Sequence, residues 1–299
     1  MNTNNTPKNL PASVKARLLN LAQTRHETFN DLVVRYCIER LLHRLGQSGH
    51  ANRFLLKGAM LFVLWDERMP RPTRDVDFLG FGRMETEAIA ATFREIITTP
   101  VTPDGLRFDA NSVVAAEIRE GREYGGIRVN LTAWLGKGRI PLQIDVGAGD
   151  AVTPAPVETN FPTLLDFPSP RVRVYPVYTV VAEKLEAIVS IGERNTRMKD
   201  FHDLWFLSRR FDFDGATLHR AIAATFERRK TTLDGDLLPF TSAYANDAER
   251  QTQWQGFLAR NSLNGPPRQF PALMRTLREF IAPALQPNAR QWHSATGWI

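Results

Sequence analysis

Apolar residues recur along this chain with two different periods. Over residues 13–24 the spacing is helical, with Val14, Leu18, Leu21 and Ala22 on one face and Ser13 placed to cap the start. A longer helix is expected from Asn30, carrying Leu32, Val33, Tyr36, Cys37, Leu41, Leu42 and Leu45, and closed by Gly46 and Gly49. Its other side holds Arg35, Arg40, His43 and Arg44, read as a solvated basic face, with an RNA backbone as the alternative partner. Phe54-Leu55-Leu56 has the length of a buried strand, and at Gly58 the pattern turns helical through Leu61, Leu64 and Trp65. Charged and proline residues at 66–72 end that helix, and 84–98 is helical again. Beyond Pro103 the period drops to two, which predicts strands at 108–119, 125–134 and 139–147. Prolines 154, 156, 162, 168, 170 and 176 then mark a connection, and Thr179 opens an amphipathic helix. Segments 214–229, 241–260 and 270–282 follow with helical spacing, and Trp292 and Trp298 sit in a tail that docks on the body or on a partner.

Within this pattern, Thr73-Arg74-Asp75-Val76-Asp77-Phe78-Leu79 alternates carboxylates with apolar residues. On a strand, positions i and i+2 share a face, so Asp75 and Asp77 point together while Val76 and Phe78 enter the core. Two adjacent carboxylates repel unless a cation lies between them, and a hard divalent ion suits carboxylate oxygen. The bland reading is a pair of solvated aspartates at a loop edge. Asp145 interrupts the apolar run Ile144–Val146, where an unpaired carboxylate is costly, so metal binding competes there with a turn or capping role. Lys184 lies in the apolar stripe Val180–Ile188 of its own helix. Either its stem packs while the ammonium reaches water, or the ammonium is aimed into a cleft. Arg194, Arg197 and Lys199 precede Asp200 and Asp203, which share a face if helical. No histidine and cysteine cluster has zinc spacing, and Cys37 has no histidine partner in sequence.

The order of strand, glycine turn, helix and Asp-x-Asp strand resembles the polymerase-β-type nucleotidyltransferase superfamily. Within it, K-G-A-M-L-F at 57–62, R-P-T-R-D-V-D-F at 71–78, A-E-K-L-E-A at 182–187 and R-x-K-D-x-x-D-L at 197–204 resemble the AbiEii-like toxins, including those of Men-type toxin–antitoxin systems. Ala59 stands where that family usually has Gly or Ser, so it has no hydroxyl to offer a phosphate. The resemblance implies an α/β (α+β) fold, with a mixed-sheet nucleotidyltransferase core and a mainly helical C-terminal lobe. The expected divisions are N-terminal helices at 1–50, the core at 51–150, a Pro-rich connection at 151–177 and the helical lobe at 178–299. It also implies Mg²⁺ (or Mn²⁺) held by Asp75, Asp77 and Asp145, with an NTP as substrate. Asp145 would orient or deprotonate the acceptor. Lys184 would neutralise the leaving phosphates, and Asp203 would position it. Lys57, Gly58, Ala59, Thr73, Arg197, Lys199 and Asp200 complete the implied nucleotide site. The implied activity adds nucleotides to an RNA acceptor, the tRNA 3′ end, blocking aminoacylation, with a cognate antitoxin as partner.

The formal charge of +6 agrees with a polyanionic partner without identifying one. A single cysteine excludes a disulfide framework and fits a reducing compartment. The polar start lacks a signal core, and no apolar run approaches the ~18 residues of a membrane span. A cytoplasmic location, with no membrane partner, is therefore expected. Competing readings are a phosphotransferase that modifies itself or a partner protein, for which Thr73 is a natural acceptor, a nucleotide-binding regulator, and a plain RNA-binding module.

Overall fold

The computed structural model describes residues 9–66, 73, 75–118, 125–233 and 237–299. The Arg- and Pro-rich residues 67–72 and Arg74, expected as the loop before the aspartates, lie outside them. The chain forms two units, one of residues 1–149 and 157–174, the other of 150–156 and 175–299.

In the first unit, α1 (Leu10–Arg25) starts earlier than Ser13, because the Asn9 carboxamide oxygen accepts from the Ala12 N–H at 3.2 Å and Pro11 suits a first turn. Helix α2 (Phe29–Gln47) is capped by Thr28, whose hydroxyl accepts from the Asp31 N–H, so Asn30 lies inside the helix. Strand β1 (Phe54–Lys57) runs into a 3₁₀ turn at Gly58–Leu61 and a single α turn, α3 (Phe62–Trp65). Then come β2 (Asp75–Gly80), α4 (Thr86–Thr98), β3 (Leu106–Ile118), β4 (Gly126–Leu135), β5 (Gly138–Ala148), β6 (Val157–Asn160) and β7 (Arg171–Val174). They build one mixed sheet in the order β3-β4-β5-β2-β1-β7-β6, with β2 parallel to β5 and β1 parallel to β7. One face buries Val76, Phe78, Val129, Leu131, Ile144 and Val146. Against that layer pack α2 and α4, and Phe54, Phe78 and Phe93 meet with ring centroids 5.4–6.4 Å apart. The other face carries Asp75, Asp77, Arg128, Asn130, Gln143 and Asp145.

Two expectations change here. Residues 157–174, expected within a connection, supply two strands to this sheet, and Phe161, Leu164 and Leu165 are buried. The bases of α2 are not a solvated face, because Arg35, Arg40, His43 and Arg44 are all buried. Arg44 forks onto Asp104 at 2.6 and 3.2 Å. Arg40 pairs with Glu39 at 2.9 Å and donates to the Pro168 carbonyl. An RNA backbone cannot reach them.

The second unit is mainly helical: α5 (Val177–Ile191), α6 (Met198–Arg210), β8 (Phe213–Asp214), α7 (Gly215–Arg228), α8 (Ser242–Ala245), α9 (Ala248–Arg260), α10 (Phe270–Ala284), β9 (Gln291–His293) and β10 (Gly297–Trp298). Strands β8, β9 and β10 form a small sheet that docks the tail within this unit. There the Trp292 indole N–H donates to the Ser208 carbonyl at 2.8 Å, and that of Trp298 to the Glu279 carbonyl at 3.0 Å. Among the described residues no helix is long and apolar enough to cross a membrane.

Candidate active site

Strand β2 presents Asp75 exposed and Asp77 half-buried, and seats Val76 and Phe78 in the core, as the alternation requires. Asp77 lies opposite Lys57 on β1 and Asp145 on β5, and Asp145 lies opposite Arg128 on β4. Residues directly opposite in a sheet share a face. Lys57, Asp77, Asp145 and Arg128 therefore form a single row of charges across four strands, in the order plus, minus, minus, plus. Asp75, two residues back on β2, opens the next row with Gln143 and Asn130.

Gly58 makes room for this row. Its φ is +70°, which side chains with a Cβ rarely adopt. A Cβ there would also lie 2.7 Å from the Asp77 Cγ and collide with the carboxylate oxygen. Glycine at this strand end is thus required twice, by the backbone turn and by the side chain of a residue nineteen positions on. Ala59, next to it, is buried. Thr73 is half-buried, with its hydroxyl 3.5 Å from the Asp75 carbonyl.

Asp145, expected among the metal ligands, is engaged by an arginine. Arg128 grips both its oxygens, Nε to Oδ1 at 2.8 Å and Nη2 to Oδ2 at 2.7 Å. The fork uses one lone pair on each oxygen and leaves the others to a further partner. Among the described residues no three metal-ligating side chains converge. The carboxylate oxygens of Asp75 and Asp77, and the remaining lone pairs of Asp145, are of the kind a hard divalent ion takes. Arg128 was not foreseen. Its signal was the alternation Ile127-Arg128-Val129, which puts it on the solvent face, but only the strand pairing brings it to Asp145.

The second unit holds the other expected residues. The Lys184 ammonium does not snorkel to water. It sits 2.7 Å from the Asp200 Oδ1 and 2.6 Å from the Asp203 Oδ2, both carboxylates being buried. Arg197 adds a bond to the other Asp200 oxygen at 2.8 Å. Burial alone would raise the Asp200 carboxyl, but the Lys184 ammonium and the Arg197 guanidinium outweigh it and hold the group below its ordinary range. Asp203 thus touches Lys184 as expected. Asp200, expected at a nucleotide, is instead enclosed and serves as a second holder of the lysine. Lys199 is exposed on the same turn. Just past α7, Arg229 turns inward to Asp150, Glu183 and Glu186 at 2.7–3.1 Å.

The family model described as nucleotidyl transferase AbiEii toxin, type IV toxin–antitoxin system, matches residues 40–279. Two solved structures are similar to the chain, JHP933 from Helicobacter pylori and a proposed nucleotidyltransferase from the same organism. Each is 12% identical with a TM-score of 0.40, covering 80% of this chain and 88% and 91% of theirs. No curated protein matches.

Proposed function

The chain belongs to the AbiEii nucleotidyl transferase toxin family of type IV toxin–antitoxin systems, and from that premise we propose that it moves a nucleoside monophosphate from an NTP to an RNA 3′ end. The tRNA 3′ end is the acceptor the family resemblance implies, and blocked aminoacylation is the consequence. A cognate antitoxin is the implied protein partner. The observation that carries the reading is the carboxylate pair of β2, set on one sheet face beside a glycine that no other residue can replace without striking it.

Asp75 and Asp77, with Asp145, would hold Mg²⁺ or Mn²⁺, which when bound supplies charge neutralisation to the triphosphate. Asp145 stays in the proposal as the group that orients the acceptor, through the guanidinium of Arg128 that it fixes. Lys184 keeps the role the resemblance implies, a cation for the phosphates, and Asp200 and Asp203 fix its position. A charge already oriented in this way needs no reorganisation as the leaving group develops charge.

The test is incubation with α- and γ-labelled NTPs, with total tRNA present. Retained α-label on RNA is the expected result. The γ-label alone, carried by the protein, would replace the reading with phosphoryl transfer, for which Thr73 beside Asp75 is the acceptor to map. Retention of neither label would leave a binding protein and sink the proposal.

A further inference from the structure

The solvent face of the sheet continues beyond the charged row, along β4 and β5. Opposite pairs there are Asn130 with Gln143, Thr132 with Pro141, and Trp134 with Arg139. Arg107 on β3 lies opposite Trp134, with its guanidinium over the indole ring at 5.4 Å from the centroid. An open trough of about 510 Å³ joins these rows and starts at Asp75, with Asn130, Thr132, Arg139 and Gln143 in its lining. From the Gln143 row to the Arg139 row is four residues of extended chain, about 13 Å. The trough therefore begins at a carboxylate of the β2 pair, passes two side-chain amides and ends at Arg139, whose row continues beyond the lining to Trp134 and Arg107 on the same sheet face. Asn130 and Arg139 are exposed. Asp109 also lies on this face, opposite Thr132, and its carboxylate accepts from the Asn111 N–H at 3.1 Å.

We propose that this trough is the platform for a single-stranded RNA 3′ end, stacked on Trp134, its phosphates met by Arg139 and Arg107, and its last nucleotide read by Asn130 on the way to Asp75. An aromatic ring beside cations is the chemistry that holds an unpaired strand without regard to sequence. Carboxamides supply paired donors and acceptors for a base edge. The inference builds on nucleotidyl transfer at the Asp75–Asp77 pair but is tested apart from it.

The experiment measures fluorescence anisotropy of the full chain with an unstructured RNA of about a dozen nucleotides, labelled at its 5′ end. A thiouridine at the 3′ end maps the contact by cross-linking. Trp134→Ala and Arg139→Glu should each weaken binding roughly tenfold, in the range expected for one lost stacking or phosphate contact. The cross-link should fall within residues 128–143. The exposed Arg139 guards against a folding artefact at the half-buried Trp134. Binding at wild-type strength in both variants, or no binding by the wild type, overturns the platform. Binding that depends on both residues without α-label transfer upholds the platform and removes the transferase reading. Normal labelling with an unchanged KM for RNA in both variants does the reverse.

Discussion

Gly58 and Asp77 are coupled by geometry, and this separates the two ways of losing the site. Gly58→Ala places a Cβ at a φ of +70° and against the Asp77 carboxylate. The left-handed backbone alone costs on the order of 1–2 kcal/mol. The expected result is a lower melting temperature together with lost transfer. Adding Asp77→Ala should recover the part due to collision and leave the backbone part. Asp77→Asn and Asp75→Asn should abolish divalent-ion-dependent transfer and leave the fold intact, since asparagine keeps the shape of the side chain and relieves the repulsion between the neighbouring carboxylates. Near-wild-type turnover in both asparagine variants would remove the pair from the chemistry. Lys184 behaves differently. Lys184→Met leaves the buried Asp203 without its ammonium and Asp200 with Arg197 alone. Breaking a buried pair from one side typically costs about 3–5 kcal/mol. Asp200 has a depressed folded pKa, so its contribution is present above the ordinary carboxylate range near pH ~3.9 and is lost as pH falls through the lower folded value. The gap in stability between wild type and Lys184→Met should be widest above about pH 4 and shrink below it. A gap that does not change with pH in urea titrations would contradict this pairing.

At the scale of elements, strands were legible where alternation met a single buried face, which is why β2, β4 and β5 fall where the period of two put them. Helix α2 shows the limit. Its bases looked solvated because their cover comes from far along the chain: Asp104 meets Arg44, and the segment around 161–168 closes over Glu39 and Arg40. Periodicity reports how a helix divides, not what lies on its polar side. For the same reason β6 and β7 passed for a connection, four-residue strands amid prolines having too little pattern to register. Arg128 was legible as a solvent-facing residue, but its partner was fixed by register. The closed face of α2 has a consequence in pH. Burial pushes the Glu39 carboxyl up to about 7, against the opposing pull of Arg40. Between the unfolded value near ~4.3 and 7 the folded chain holds a proton that the unfolded chain has released, so stability falls as pH rises through that window. Glu39→Gln keeps an oxygen for the Leu164 N–H and cannot titrate. Urea midpoints at pH 5 and pH 7 should move down with pH in the wild type and show a smaller drop in the variant. Equal drops would place the titration elsewhere.

For the whole molecule, the 38 lysines and arginines overstate the cations available to a polyanion. Arg35, Arg40 and Arg44 are buried, Arg128 is held by Asp145, and Arg229 is enclosed by three carboxylates. Net charge sets the long-range attraction, but counterions are released only where a cation meets a phosphate. On the proposed platform the exposed cations are Arg107, Lys137 in the β4–β5 turn, and Arg139. With roughly 0.7 of log-slope per contact for a single strand, three contacts give a salt dependence of about −2. Arg139→Glu should lower that slope by about 0.7 or more, whereas Trp134→Ala should weaken binding by a similar factor at every salt concentration, because stacking releases no ions. Anisotropy titrations from low to moderate salt separate the two. A wild-type slope much steeper than this would mean that RNA lies on another, more basic surface. A flat one would mean that phosphates are not bound and that the acceptor is not a nucleic acid. The different response of the two variants tests the stated geometry most directly, since a merely destabilised protein would lose affinity in both without changing the slope in only one.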